Sequence, residues 1–206
     1  IKADISQSST WREFLNEFEP EIVFHFAAET GTSQSLTCGT RHAVVNVCGT
    51  TEMLDAFAQA TVKPKRIVLA SSRAVYGEGM WREMKTGREF YAKPRSNEDL
   101  SKRIWDPYNE GRPVEPIPHD AQFTLPQPTS IYGATKLAQE NILRAWCGAF
   151  RVPLSILRLQ NVYGEGQSPI NSYTGIINLF HKVARNGQAI QVYAVSYTHL
   201  RAHETP

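Results

Sequence analysis

Lys65-Arg66-Ile67-Val68-Leu69-Ala70-Ser71-Ser72 is the stretch on which the fold turns. Four apolar residues in a row lie between two cations and two hydroxyls. The run is too short for a buried helix, and it does not alternate as a half-exposed strand would. An unbroken apolar run of this length reads as a strand of a parallel sheet, buried by helices that the crossover connections supply. Working outward, Glu21-Ile22-Val23-Phe24-His25-Phe26-Ala27-Ala28 and Val152-Pro153-Leu154-Ser155-Ile156-Leu157-Arg158-Leu159 have the same character. Residues 1–5 read as the tail of one more strand running into Asp4.

Between these runs the apolar period lengthens to that of a helix. Ser9-Thr10 offers an N-cap, Trp11, Phe14, Leu15 and Phe18 recur at helical spacing, and Pro20 stops the pattern. Further helices are predicted over residues 42–60, 132–150 and 174–186; in the second of these Leu137, Ile142, Leu143 and Trp146 form the buried side. Strands alternating with helices predict an α/β protein, a Rossmann-like doubly wound parallel sheet with right-handed crossovers. Such sheets bind ligands at the carboxyl ends of their strands. Ala27-Ala28, Ser71-Ser72 and Asn161 all fall at such ends. Residues 78–127, rich in proline and charge, read as a surface insertion with little regular structure.

Composition narrows the function classes. With 41% hydrophobic and 20% charged residues and a net charge of +2, the chain can build a core, and it offers no argument for binding nucleic acid or an anionic membrane. Three cysteines without paired or metal-ligand spacing fit a reducing, cytoplasmic setting, and the histidines form no metal pattern. No apolar run is long enough to span a bilayer.

The chemistry centres on Thr129-Ser130-Ile131-Tyr132-Gly133-Ala134-Thr135-Lys136. A Tyr and a Lys four apart at a helix start share one face. An ammonium beside a phenol favours the phenolate, which can take a proton from a substrate hydroxyl. Alone, that spacing also describes an aromatic and a solvated lysine on a helix surface. Set beside three polar or small strand ends, it reads as an acid/base.

Together these motifs resemble the extended short-chain dehydrogenase/reductases, in the NAD-dependent epimerase/dehydratase branch. The matching stretches are Phe26-Ala27-Ala28, Asn46-Val47-Cys48-Gly49-Thr50, Ser71-Ser72-Arg73-Ala74-Val75-Tyr76-Gly77, the Tyr132/Lys136 pair and Arg158-Leu159-Gln160-Asn161-Val162-Tyr163-Gly164. The resemblance implies NAD as cofactor, held by Asp4, Ile5, Phe26, Ala27, Ala28, Thr30, Asn46, Ser71, Tyr132, Lys136 and Leu159. It implies Ser72, Tyr132 and Lys136 as catalytic residues. Ser72, Arg73, Asn161 and Thr174 would meet a nucleotide-sugar substrate, and the full-length protein would be a homodimer.

The resemblance covers residues 1–194 as a partial NAD-binding domain. A Gly-rich phosphate loop does not follow a first strand, so the first strands and most of a C-terminal substrate lobe are expected to lie outside this chain, which as it stands is expected to be inactive. Residues 195–205 resemble, over all eleven positions, the translation of a sequencing-library adaptor, and residues 195–206 are set aside as an artefact tail.

Among the family's reactions, 4,6-dehydration needs an acid and a base beyond the Tyr. Arg73 and Ala74 stand where the resemblance places that pair, and neither shuttles protons. Epimerisation at C4 of a dTDP- or UDP-hexose needs one acid/base and a cofactor re-oxidised in place. Residues 166–175 resemble a subgroup of 4-epimerases of dTDP-deoxysugars. A dehydratase or other reductase of the family, or a non-catalytic dinucleotide-binding relative, are the alternatives.

Overall fold

The computed structural model describes residues 2–102, 104, 106, 107, 111–167 and 176–190. In chain order the elements are α1 (Ser8–Glu17), β1 (Ile22–His25), α2 (Thr32–Ser35), α3 (Gly39–His42), a π-helical stretch (Ala43–Cys48), α4 (Gly49–Gln59), β2 (Arg66–Ser72), a 3₁₀ turn (Arg73–Tyr76), β3 (Met80–Glu83), β4 (Glu89–Tyr91), α5 (Asn97–Ser101), β5 (Val114–Pro116), α6 (Ile131–Phe150), β6 (Leu154–Leu159) and α7 (Ile176–Arg185). They divide into two compact units, residues 1–77 with 125–160, and residues 78–124 with 161–206. Among the described residues no helix is long and apolar enough to cross a membrane.

The first unit holds the parallel sheet that the apolar runs predict. Its order is β1-β2-β6, with both pairings parallel. His25 stands beside Leu69, and Ser72 beside Leu159, so the carboxyl ends of the three strands lie along one edge. Ile67 and Leu69 of β2 pack with Met53, Leu54 and Phe57 of α4, with Leu143 and Cys147 of α6, and with Val152. Trp11 and Leu15 of α1 close over this core, and the Trp11 indole N–H donates to the Ile5 carbonyl at 3.0 Å.

Two expectations need correction here. Residues 2–7 form no strand: the Asp4 carboxylate accepts the backbone N–H and the hydroxyl of Ser6, a local turn that competes with extended pairing. Nor is β1 buried on both faces. Val23 and His25 face the core, whereas Phe24 is 62% exposed, because β1 is the edge strand of this sheet.

α6 shows how local sequence sets a boundary. Ser130 is its N-cap and accepts the Gly133 N–H at 3.0 Å. The helix ends where Arg151 turns left-handed, and the chain then enters β6.

The second unit carries an antiparallel sheet of order β4-β3-β5. The sequence predicts little regular structure here. In β3, Trp81 and Glu83 turn inward and Met80 and Arg82 outward. The alternation is brief, and a carboxylate takes one of the inward positions, so an apolar period is hidden. Arg112 makes that burial tolerable by donating to Glu83 at 3.0 Å, and Arg95 donates to the buried Glu78 at 2.6 Å.

Candidate active site

The site is built where β2 ends and α6 begins. Ser72 closes β2, and its hydroxyl oxygen accepts the Ala74 N–H at 3.1 Å. The same hydroxyl acts on the Tyr132 phenol and favours its ionised form. Two glycines allow the approach. A Cβ on Gly133 would lie 2.5 Å from the Ala74 carbonyl oxygen, and Gly77, at φ 63°, would place one 2.0 Å from the Gln127 carbonyl oxygen. The 3₁₀ turn therefore packs directly on the first turn of α6.

Lys136 sits one turn further along α6 and is 2% exposed. Burial pushes its ammonium down to about 8, and the Glu140 carboxylate pulls the other way. Tyr132 is shifted up by burial, and the Ser72 hydrogen bond opposes that shift. The expectation that Lys136 lowers the phenol is therefore corrected. Desolvation of the phenolate outweighs the opposing influence of Ser72 on Tyr132.

A buried polar layer braces this pair. Asn46, in the π-helical stretch, accepts the Glu29 N–H at 2.8 Å and donates to the Glu29 carbonyl at 3.0 Å. It also donates to the Thr135 hydroxyl at 3.0 Å, and Thr135 donates to the Tyr132 carbonyl at 2.8 Å. The loop after β1 is thus fixed to the turn that carries Tyr132. The wider turn of the π-helix is a device often found at functional sites. The Thr50 hydroxyl, which donates to the Asn46 carbonyl at 2.6 Å, also meets Gln139 and His25, each at 2.8 Å. Burial and the nearby Lys136 charge push the His25 imidazole down to about 4. His42, buried against Tyr132 with ring centroids 6.3 Å apart, lies within hydrogen-bond distance of the Cys38 and Thr30 carbonyls.

Beneath the layer lies Glu140, fully buried. Arg158 donates to it through Nε at 3.0 Å and Nη2 at 2.8 Å, Arg144 at 3.1 Å, and the Ser71 hydroxyl at 2.5 Å. The Arg158 guanidinium stacks on the Tyr76 ring, 4.8 Å from its centroid. These contacts hold Glu140 below, and Arg158 above, their ordinary ranges. Successive strand residues point to opposite faces, so Ser72 meets Tyr132 and the Ser71 side chain is committed to Glu140.

The remaining predicted residues are spread along the first unit's strand ends and beyond. Phe26 and Ala27 are exposed after β1, and Ala28 and Thr30 are half-buried. Leu159, 39% exposed, pairs with Ser72 in the sheet. Arg73 is half-buried in the 3₁₀ turn. Asp4 is exposed, and Ile5 packs on Gly49 of α4. Asp4 also borders a cavity of about 720 Å³ that Ser6, Thr37, Cys38, Val44 and Val45 line, and that excludes Ser72, Tyr132 and Lys136. Asn161 is an exposed residue of the second unit. Thr174 and residues 195–206 lie outside the described residues.

Sequence reasoning missed Glu140, Arg158, Gln139, His25 and His42 as parts of the site. The available signal was a carboxylate one turn past Lys136 on a helix face otherwise continued by Leu143 and Cys147.

The chain is similar to known proteins along most of its length. The chain is 50% identical over 193 residues to the dTDP-L-rhamnose 4-epimerase of Burkholderia thailandensis, a match that spans 94% of this chain and 52% of that protein. It is 26% identical to the UDP-glucose 4-epimerase of Mycolicibacterium smegmatis over 94% of this chain and 49% of that one. With the dTDP-D-glucose 4,6-dehydratase of Dictyostelium discoideum it shares 25% identity over 86% of its length and 35% of the relative's. It thus spans about half or less of the length of these curated relatives. Among solved structures, UDP-glucose 4-epimerase from Thermotoga maritima superimposes with a TM-score of 0.67 at 20% identity, over 94% of this chain and 50% of that one, which shows a shared fold. A family model matches residues 1–201, and by that match the chain belongs to the NAD dependent epimerase/dehydratase family.

Proposed function

We propose that the full-length protein is a nucleotide-sugar 4-epimerase that acts on a dTDP- or UDP-hexose through transient oxidation at C4, with NAD as its cofactor. The observation that carries this reading is the pairing of the Ser72 hydroxyl with the Tyr132 phenol at the end of a strand followed by Arg73 and Ala74. It supplies one acid/base and no second proton-transfer pair, which suits inversion at C4 better than loss of water. The 50% identity to a dTDP-L-rhamnose 4-epimerase supports the same reading and favours a dTDP-deoxysugar as substrate.

The residues present suit the cofactor. Phe26, Ala27 and Leu159 leave an exposed apolar and small-residue edge at the strand ends, beside the buried Lys136 ammonium. Lys136 would hold the ribose, and Asn46 would fix the loop that carries Ala27, Ala28 and Thr30. NAD, when bound, supplies the hydride acceptor and returns the hydride. Tyr132, as phenolate, would take the proton of the sugar's 4-hydroxyl while Ser72 holds that oxygen. It returns that proton after the 4-keto sugar has presented its other face. Residues 1–194 form part of the cofactor-binding domain, with 78–127 inserted in it, and the full-length protein acts as a homodimer.

The test offers dTDP- and UDP-hexoses to the full-length protein and follows the sugar by NMR. Inversion at C4 without net NADH is the expected result. Accumulation of a 4-keto-6-deoxy sugar would overturn the epimerase reading in favour of a dehydratase.

A further inference from the structure

Glu140 is the largest unexplained investment in the first unit. A fully buried carboxylate is costly unless paired, and this one is held by four donors on three elements: Ser71 of β2, Arg158 of β6 and Arg144 of α6, with Arg158 contributing two. Replacing such a cluster with apolar side chains commonly leaves a protein as stable or more so, so packing alone does not account for it. Its position does. Glu140 lies one turn past Lys136 on α6, and Lys136 lies one turn past Tyr132. Its partner Ser71 is the neighbour of Ser72 in β2.

We propose that Glu140 is the positioning residue of this site: its carboxylate keeps the buried Lys136 ammonium charged, and its bond to Ser71 holds the end of β2 so that Ser72 faces Tyr132. That Lys136 serves the reaction by holding the cofactor rests on the proposed function; the control of its charge does not. Without a negative neighbour, burial alone favours neutral Lys136. The groups around the pair are accounted for. From β1, His25 lies near Lys136 and is held neutral by burial and by that charge. From β6, Arg158 is neutralised on Glu140 and rests on Tyr76 of the 3₁₀ turn. On α6 itself, Arg144 reaches Glu140 from a half-exposed position. Glu140 is the carboxylate that acts on Lys136 in the favourable sense.

The test uses the full-length protein with ¹³C-labelled lysine, the Lys136 signal being identified by its loss in Lys136→Met. In Glu140→Gln the Lys136 titration midpoint should fall from about 8 by about one pH unit or more. Because this variant leaves Arg158 buried without its counter-charge, Glu140→Gln with Arg158→Met is measured beside it, and a smaller fall in the same direction is expected. Turnover relative to the unaltered protein should be reduced about fivefold or more at pH 8 and should recover towards pH 6, where Lys136 is again protonated. A merely structural role would lower turnover equally at all pH values. A Lys136 midpoint unchanged in both variants would overturn the proposal. A lowered midpoint in a protein that turns over no hexose would sustain the control of Lys136 by Glu140 and would refute the epimerase reading instead.

Discussion

The two halves of α6 bury opposite chemistries. Towards its C-terminus, Leu143 and Cys147 close on Met53, Phe57, Ile67 and Leu69. Towards its N-terminus, the buried side chains are Thr135, Lys136, Gln139 and Glu140. One helix thus contributes an apolar anchor and a polar platform on the same side of one sheet. The apolar half is explained by area removed from water. The polar half gains little in that way and carries the desolvation cost of two ionisable groups. It is coherent only as a set: Asn46 with Thr135, Gln139 with Thr50 and His25, Glu140 with Arg158 and Ser71. The contrast implies that the first half sets stability and the second half sets chemistry, and each prediction below tries to break that division.

The largest expected effect lies on activity. Tyr132→Phe removes the phenol and keeps the ring against His42. In the full-length protein turnover should fall roughly 10²–10⁴-fold, the usual worth of a positioned acid/base, while the denaturant midpoint stays close to that of the parent. A large loss of stability with turnover per folded molecule preserved would erase the division at its strongest point.

Leu143→Ala should show the reverse. Leu143 is fully buried among residues of α4 and β2. Truncation should cost about 2–5 kcal/mol in chemical denaturation, through lost burial and the cavity left behind. Turnover per folded molecule should be unchanged under conditions where the variant remains native. Loss of turnover without loss of stability would mean that the apolar half also tunes the site.

Next in size is a pH effect from the polar half. His25 is held neutral at the end of β1, with its folded value about 4 against 6.5 for a free imidazole. Below pH 6.5 the unfolded chain takes up a proton that the folded one refuses. Stability is therefore full above about pH 6.5 and declines as pH falls towards 4. Each pH unit of difference is worth about 1.4 kcal/mol, so the loss should approach about 3 kcal/mol. Urea unfolding at intervals from pH 7 to 4 measures it, and His25→Gln should flatten the slope in that window. A slope that survives the substitution would assign the effect to the carboxylates, whose transitions lie lower.

How much of this was legible in sequence follows the same division. The parallel sheet could be read from the Ile67-Val68-Leu69 run, because burial forces apolar runs and a run is visible in one dimension. Tyr132 and Lys136 could be read because helical spacing puts them on one face. The partners of the polar half could not. Glu140 and Arg158 are 18 residues apart, Asn46 and Thr135 are 89, and His25 and Gln139 are 114. Periodicity names a face and leaves the partner across it open. The expected strand at residues 1–5 failed for a local reason, since the Asp4 side chain supplies the Ser6 N–H with a partner that a sheet would otherwise provide. The direction of the Tyr132 shift has a cause that helical spacing does not show: burying the ring desolvates the phenolate.

The smallest expected effect tests whether charge as such matters in this unit. Lys65 pairs with Glu21 just ahead of β2 and β1, with side chains 72% and 70% exposed. Water screens both ions, and holding two long side chains together costs entropy, so such pairs contribute little. The backbone there is already joined, since the Lys65 N–H donates to the Glu21 carbonyl at 2.7 Å. Lys65→Met should therefore shift the melting temperature of the full-length protein by less than about 2 °C and leave turnover unchanged. Glu140→Gln removes one charge too, with a deeper consequence expected. If the exposed pair proved as costly to remove as the buried one, the special standing of the polar half of α6 would be lost, and net charge would have to replace position as the explanation.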